Sequence, residues 1–582
     1  MKRRRAAVAG VAAGVEIVRS VRAICWLFAL ALLALPVMVA SEESESKDSA
    51  ALCSQAMEHA TRRQDRTADR SQLPDIATLE ANGAVIGDVV VVPLNIFDPD
   101  QPGENRRAFR VANHVHPTTR PEVVERLLLF EEGEPFVARR MEETARLLRQ
   151  RGFLYDACVE PYRYENNRVD IVVATRDVWT LALGGTFERS GGANTIRVNV
   201  ADSNFLGLGR YVSLQYSEDP DRTNYTMRYE DPALRGSRFQ LRLKLQDQSD
   251  GYRRTFDLTR PFYALDTTWS AATRLVSDER VERIYSTGEI VNGFQHENNS
   301  FEIRGGLSKG FRDDRSYRWM FGYSWITDTF ADEPELSDGS PVPEDRLLSY
   351  PWIGIQSVQN DYWLGNNMDR IGRNEDFNMG TEWFARLGYS TTPLGAYEDE
   401  AIIQAAGRSA WQIAGSQMLL VSGHASGRYG DEGTRNMLLG GSVRYYFRNF
   451  GQHQFYASLG ADTSRELDPE NQLLLGGDNG LRGYPLRFRD GEHRFLLSLE
   501  QRFYTNLELF KLVHVGAAVF FDAGQAWYSE EEDPELLRDV GAGLRLSSSR
   551  SARGAMIHLD VAFPLDGDAQ KVQWLVSTRD TF

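Results

Sequence analysis

The segment Gly477-Asp478-Asn479-Gly480-Leu481-Arg482-Gly483-Tyr484-Pro485 is a glycine-rich loop around a single arginine, and a run of strand-like alternation follows it. One face of that run is apolar and contains Phe495, Leu497, Leu499 and Phe503. The opposite face contains Leu496, Ser498, Glu500, Arg502 and Tyr504. Because successive side chains of a strand point to opposite faces, the pattern predicts a strand with one apolar and one more polar side.

A second alternating run follows directly. Its apolar positions are Val513, Val515, Ala517, Val519 and Phe521, and the opposite positions are His514, Gly516, Ala518, Phe520, Asp522 and Gly524. The phase places Glu500 and Asp522 on the same side of two neighbouring strands. A carboxylate shielded from water needs a partner, and an arginine can bond its two oxygens at fixed geometry. Arg482 is the candidate partner; an ordinary surface turn at Leu481–Pro485 is the alternative.

Alternation of period two continues through roughly 400 residues after Trp179. A soluble β-sandwich also alternates, but it seldom needs so many residues. Strands of a transmembrane barrel are ~9–11 residues long, apolar outside and polar inside. We therefore expect an all-β transmembrane barrel over residues 181–582, with about sixteen antiparallel strands at about 25 residues per strand and loop. In this barrel Glu500, Asp522 and Gly524 face the lumen.

The N-terminus has the pattern of a secretory signal peptide, predicted over residues 1–41. Basic residues come first, an apolar run spans Ala23–Leu35, and Val39-Ala40-Ser41 offers a small-residue cleavage site. An uncleaved anchor is the competing interpretation, but the apolar run is short for a membrane crossing. Cleavage would remove six basic residues and one acidic residue, so the net charge of −16 would become −16 − 5 = −21. So acidic a chain is not expected to bind nucleic acid.

Residues 42–80 are polar and predict a short leader or linker. Residues 81–180 predict a small α/β domain, with a strand at Val85–Phe97, helices at Pro121–Phe130 and Ala138–Arg151, and then two strands. Cys53 and Cys158 could pair in an oxidising compartment, or they could remain free thiols. The sequence leaves both possibilities open.

Several motifs resemble those of the BamA/TamA-type superfamily of outer-membrane assembly proteins. They are the loop motif Leu481-Arg482-Gly483-Tyr484, the strand motif Phe520-Phe521-Asp522-Ala523-Gly524 and the terminal Phe582. The barrel-start segment with Asn204, Gly207 and Gly209 is similar to one that members of this superfamily carry. The stretch Trp574–Phe582 resembles their terminal strand signal, but departs from it at Asp580. The α/β order resembles one POTRA domain.

The resemblance implies that Arg482 contacts Asp522 and Glu500 inside the barrel. It also implies a Gram-negative outer-membrane location, with the N-terminal domain in the periplasm, and a role in inserting, folding or translocating polypeptides. Implied partners are outer-membrane lipid, unfolded or extended clients, and periplasmic or lipoprotein accessory subunits. The alternatives are a two-partner-secretion pore and a passive porin-like barrel. Gly184-Gly185 and Ser577–Asp580 predict a weakly joined seam between the first and last strands.

Two further patterns suggest enzyme or metal chemistry. Gly306-Leu307-Ser308-Lys309-Gly310 matches a nucleophile-elbow motif, but a strand-like segment follows where the elbow requires a helix. We therefore predict a hairpin there. His114 and His116 lie two residues apart without a convincing third ligand, which predicts solvated loop histidines. We expect neither an enzyme nor a bound metal or cofactor.

Overall fold

The structure is a computed structural model that describes residues 52–55, 57, 73–99, 104–371, 374–451, 453–549, 556–567 and 571–579. The predicted signal peptide and Phe582 lie outside these residues. Among the described residues, no helix has both the length and the apolar composition that a membrane crossing requires.

The N-terminal part is an α/β domain built on a three-stranded sheet. Its helices are Ile76–Ala81 (α1), Arg107–Val115 (α2), Pro121–Glu125 (α3) and Ala138–Arg149 (α4); its strands are Val85–Leu94 (β1), Leu154–Glu165 (β2) and Arg168–Asp177 (β3). The sheet order is β1-β3-β2, with β1 parallel and β2 antiparallel to β3. Helix α2 occupies a stretch that the sequence did not predict as helical. It is short, and Phe109 is its buried residue, while Val111 and Val115 are exposed.

Both faces of this sheet are covered. On one face, Val124 of α3 and Leu148 of α4 are fully buried against Ile86, Val169 and Ile171. The other face packs against helical residues 52–55 and 57. A disulfide joins Cys53 of this short helix to Cys158 of β2, with their Cα atoms 5.6 Å apart.

The rest of the chain forms a closed antiparallel barrel, as the alternation predicted. The expected sixteen strands were wrong, because the described residues form a wall of twenty. Turns such as Gly191–Gly192 and Asp313–Asp314 use only two residues, so strand and connection together take about 20 residues rather than 25. The strands are Leu181–Ser190 (β4), Ala193–Asp202 (β5), Tyr211–Glu218 (β6), Thr223–Asp231 (β7), Gln240–Gln248 (β8), Gly251–Arg260 (β9), Trp269–Ser286 (β10), Glu289–Arg312 (β11), Arg315–Asp332 (β12), Arg346–Gln359 (β13), Glu382–Ser390 (β16), Glu400–Ala414 (β17), Gln417–Gly430 (β18), Gly433–Arg448 (β19), Gln454–Arg465 (β20), His493–Leu509 (β23), Val513–Trp527 (β24), Leu537–Ser548 (β25), Met556–Pro564 (β26) and Gln573–Arg579 (β27).

Two short hairpins lie outside the wall order. Tyr362–Asn366 (β14) pairs with Asn374–Asn378 (β15) between β13 and β16. Leu473–Leu475 (β21) pairs with Arg489–Gly491 (β22) between β20 and β23. Since β4 follows the α/β domain directly, we call the barrel end where β4 begins the domain end and the opposite end the far end. Hairpin β14–β15 leaves the wall at the domain end, and hairpin β21–β22 leaves it at the far end.

The barrel closes between β27 and β4 at a weakly paired seam. Val576 opposite Arg189 is the one backbone pairing among the described residues of these two strands. By contrast, β4 pairs with β5 along all ten of its residues. The Glu188 carboxylate adds one contact by accepting a bond from the Thr578 backbone N–H at 3.3 Å.

Candidate functional site in the barrel lumen

The loop between β20 and β23 folds back into the lumen. The ladder of β21 and β22 brings its two arms together, and the Gly477 N–H donates to the Pro485 carbonyl at 2.8 Å to close the tip. The tip lies directly against the wall at Gly483, where a Cβ atom would come within 2.6 Å of the Asp539 Cβ. Only glycine allows this approach.

Arg482 extends from this tip to two carboxylates on neighbouring wall strands. Its Nε and Nη2 donate to the two oxygens of Asp522 at 2.7 and 2.8 Å, and its Nη1 donates to Glu500 at 2.7 Å. The guanidinium also lies 3.5 Å from the centre of the Phe520 ring. The structure therefore brings together the residues that the alternation placed on one side of two strands.

The environment of this cluster is dry. Arg482 is 4 % exposed, Glu500 7 % and Asp522 0 %. Burial lowers the pKa of the Arg482 guanidinium, but Asp522 and Glu500 outweigh this effect and raise that pKa above its ordinary value. The arginine therefore stays charged, and the forked geometry satisfies both acids at once.

The neighbouring motif residues fix the loop to the wall. Leu481 and Tyr484 are fully buried among Leu475, Ala526 and Leu537. The Tyr484 hydroxyl lies 2.8 Å from the Arg538 carbonyl and 3.0 Å from the Asp566 carbonyl, so it joins the loop to the far ends of β25 and β26. Gly524 on β24 leaves space for the Leu481 side chain, which would lie 3.4 Å from a Cβ atom there.

Sequence reasoning missed two functional neighbours of this cluster. Asp539 pairs with Asp522 across β24 and β25 and is fully buried. Arg502 donates from Nε to Glu500 at 3.0 Å and lies 3.8 Å from the Tyr456 ring centre. Arg502 lies on the face of its strand that was predicted to point inward. Alternation along β25 would likewise have placed Asp539 on the inward face. The phase alone gives no reason to choose them over other inward residues.

On the side away from Arg482, the lumen loop is bonded to the first strands of the barrel and the turns between them. The Ser190 hydroxyl donates to the Gly477 carbonyl at 2.5 Å, which joins the loop to the β4–β5 turn. Arg487 forms two bonds to the Asp221 carboxylate at 2.8 and 2.5 Å, and the Tyr285 hydroxyl donates to Asp221 at 2.6 Å. The loop therefore spans the lumen from β23–β25 to β4–β10.

The predicted barrel-start motif lies away from this cluster, at the domain end. Asn204 is fully buried; its side chain donates to the Thr119 hydroxyl at 2.8 Å and accepts from the Gly209 N–H at 2.7 Å. Gly209 has a φ of +67°, and a Cβ atom there would lie 2.9 Å from Val123. The Gly207 carbonyl accepts a bond from the Arg120 N–H at 3.1 Å. This motif attaches the α/β domain to the barrel.

The remaining predicted positions are separate from the lumen cluster. Trp574 is 64 % exposed on β27, and Ser308 lies within strand β11. The prediction of solvated loop histidines was wrong for His116, which is buried with its Nε2 3.0 Å from Asp177. His114 is exposed as predicted, but it lies on helix α2 rather than in a loop. The same Asp177 carboxylate accepts bonds from the Thr119 N–H and hydroxyl, so His116 belongs to a buried hydrogen-bonded group.

One cluster outside the disulfide combines metal-ligating side chains among the described residues. Donor atoms of His296, Asp328 and Glu470 lie within 4.8 Å of one another. Arg346 already bonds Asp328 at 2.6 Å and Glu470 at 2.6 Å. A cation would have to displace that arginine, so the arrangement is a salt-bridge network between the wall and the far-end loop.

Comparisons with known proteins give one family match and several similar solved structures. The Omp85 superfamily domain matches residues 204–574. Solved structures similar to the chain include BamA from Haemophilus ducreyi lacking POTRA domains 1–3, at 12 % identity over 85 % of this chain and 83 % of that chain, with a TM-score of 0.36. CdiB from Acinetobacter baumannii matches at 10 % identity over 92 % and 98 %, with a TM-score of 0.41. CdiB from Escherichia coli matches at 14 % over 93 % and 92 %, with a TM-score of 0.43. A comparison with curated proteins gave no match.

Proposed function

The chain belongs to the Omp85 superfamily, and from this we propose that it is a Gram-negative outer-membrane protein that inserts or translocates polypeptides. The observation that carries the proposal is the loop folded into the lumen, with Arg482 buried between Asp522 and Glu500. A passive porin needs an open aqueous lumen. Here the loop between β20 and β23 occupies the lumen, which favours a barrel that changes state during its work.

We assign the α/β domain as a single periplasmic POTRA domain that captures clients. Strand β2 is an edge of its sheet, and no wall or domain strand pairs with its outer side among the described residues. An extended client could add there as a further strand, with main-chain hydrogen bonds providing affinity. Periplasmic or lipoprotein subunits could use the same domain.

The seam between β27 and β4 is the proposed place of insertion. Among the described residues this junction has a single pairing, fewer than any other junction of the wall, so opening it breaks few bonds. An opened edge offers unpaired backbone groups to a client strand and brings them into contact with outer-membrane lipid. Cysteines at Arg189 and Val576, which face each other, should form a disulfide and stop client folding. Client folding that continues at the wild-type rate after cross-linking would remove the seam from the mechanism.

The decisive experiment follows a denatured outer-membrane protein folding into liposomes that contain this protein. Wild type is compared with Arg482→Ala and with Arg489→Ala, which removes an arginine of the same loop whose partner, Glu535, is largely exposed. We expect wild type and Arg489→Ala to accelerate folding and Arg482→Ala to do so much less. No acceleration by wild type, with the barrel well folded, would refute the insertase role and favour a secretion pore.

A further inference from the structure

Hairpin β14–β15 reaches deep into the barrel. It leaves the wall between β13 and β16, which pair directly with each other, so it is an insertion rather than part of the wall. Ile371 near its tip is buried against Tyr504, Ala518 and Met556. These residues belong to β23, β24 and β26, which stand five, six and eight positions from β16 around the wall. The hairpin therefore crosses the lumen.

The tip of the hairpin is fixed by its own residues. The Glu375 carboxylate accepts the backbone N–H groups of Met368, Asp369 and Arg370 at 3.0, 3.0 and 3.2 Å. Successive N–H groups converging on one oxygen form a nest, which ties residues 368–370 to Glu375 of the opposite strand.

The tip of the hairpin contacts Arg502 and Tyr504 of strand β23. The Met368 carbonyl accepts bonds from Arg502 Nη1 at 3.2 Å and from the Tyr504 hydroxyl at 3.1 Å. Arg502 in turn bonds Glu500, whose other oxygen is held by Arg482. The hairpin, which enters from the domain end, and the loop, which enters from the far end, are thus linked through Arg502 and Glu500.

The base of the hairpin is held by helix α4 of the α/β domain. Arg149 donates from Nε and Nη2 to the two oxygens of Asp376 at 2.9 and 2.7 Å. Both side chains are mostly buried, at 13 % and 10 % exposed. A shielded bidentate pair is stronger than an exposed ion pair. One helical turn earlier, the Arg146 guanidinium lies 4.1 Å from the Tyr362 ring centre.

We propose that hairpin β14–β15 is a plug whose place in the lumen is set by the α/β domain through the Arg149–Asp376 pair. Because the same hairpin contacts the domain at its base and Arg502 at its tip, displacement of the domain must either break this pair or draw the tip away from Arg502. Arg149 and Asp376 are positioning residues in this scheme. The plug goes beyond the proposed function, because it governs passage through the lumen whether or not a client is present.

The test measures ionic current through the full-length protein in planar lipid bilayers. Asp376→Ala removes the hold on the plug, while Arg163→Ala is the matched control, since Arg163 pairs with Glu165 and Asp170 inside the α/β domain. We expect Asp376→Ala to raise the open fraction roughly tenfold, the shift that about 1.4 kcal/mol produces. Asp376→Glu, which keeps the charge, should remain closer to wild type. Equal currents in wild type and Asp376→Ala would overturn the proposal.

A cross-link separates plug movement from damage to the fold. The Gln454 side-chain nitrogen lies 3.5 Å from the Met368 sulfur, so cysteines at these two positions should join the tip to β20. In the Asp376→Ala background, oxidation should return the current to the wild-type value, and reduction should release it again. Wild type with reductant controls for the native Cys53–Cys158 disulfide. A current that stays high after cross-linking would also overturn the proposal.

These measurements need no client polypeptide. Failure of client folding in the liposome experiment would refute the insertase role and leave the plug standing. An unaltered current in Asp376→Ala would refute the plug and leave the insertase role standing.

Discussion

Replacing Arg482 by alanine should release the lumen loop from the wall. The change removes three charged hydrogen bonds and leaves Asp522 and Glu500 buried without the arginine that joins them. Removing one partner of a buried ion pair costs about 3–5 kcal/mol. Since ~1.4 kcal/mol is a tenfold change in an equilibrium constant, the docked loop should be disfavoured by between about a hundredfold and a few thousandfold.

A buried reporter in the same loop measures this shift. Leu475 is 2 % exposed within the loop's apolar cluster, so a cysteine there reacts with a membrane-impermeant thiol reagent only when the loop undocks. The labelling rate should rise steeply in the Arg482→Ala background. Arg489→Ala should change it little, because exposed ion pairs contribute about 0–1 kcal/mol. An unchanged labelling rate in Arg482→Ala would refute the view that this arginine holds the loop.

The lysine variant distinguishes charge from geometry. Arg482→Lys keeps a positive charge, but it cannot present the planar fork that bonds both Asp522 oxygens while also reaching Glu500. We expect a labelling rate between those of wild type and Arg482→Ala. A wild-type rate in Arg482→Lys would mean that charge alone fixes the loop.

Three shorter predictions concern the disulfide of the α/β domain, the Asp221 contact of the lumen loop, and the junction between the α/β domain and the barrel. Cys53→Ser/Cys158→Ser should lower the free energy of unfolding of the α/β domain by about 2–4 kcal/mol, measured by denaturant titration of the full chain; an unaltered midpoint would contradict this. Burial would raise the pKa of Asp221, but bonds from Arg487 and Tyr285 lower it to about 2. The Arg487–Asp221 contact that holds the loop should therefore be intact above about pH 4 and be lost as pH falls towards 2. Asp221→Asn should abolish this pH dependence of the loop-labelling rate. Asn204→Ala should loosen the domain junction by about 1–3 kcal/mol, the cost of leaving a buried donor, the Gly209 N–H, and a buried acceptor, the Thr119 hydroxyl, without this partner. The loosened junction should speed protease release of the domain, and Ser237→Ala, at an exposed turn, is the control.

Local sequence patterns predicted much of the architecture. Period-two alternation predicts inward positions strand by strand, since side-chain direction depends only on the backbone of one strand. This is why Glu500 and Asp522 could be assigned to the same side of two neighbouring strands before any contact was known. The strand count was not accessible in the same way, because it depends on whether each turn uses two residues or ten.

The sequence by itself therefore determined a β-barrel with an arginine loop and two inward acids. Only the tertiary structure decided which distant segments meet: Cys53 with Cys158, Arg149 with Asp376, and the Met368 carbonyl with Arg502. The physical reason is that an ion pair or a disulfide between residues more than a hundred positions apart leaves no periodic trace along the chain. Its energy depends on where the closed barrel and the docked domain bring the side chains, and closure is a property of all twenty strands together.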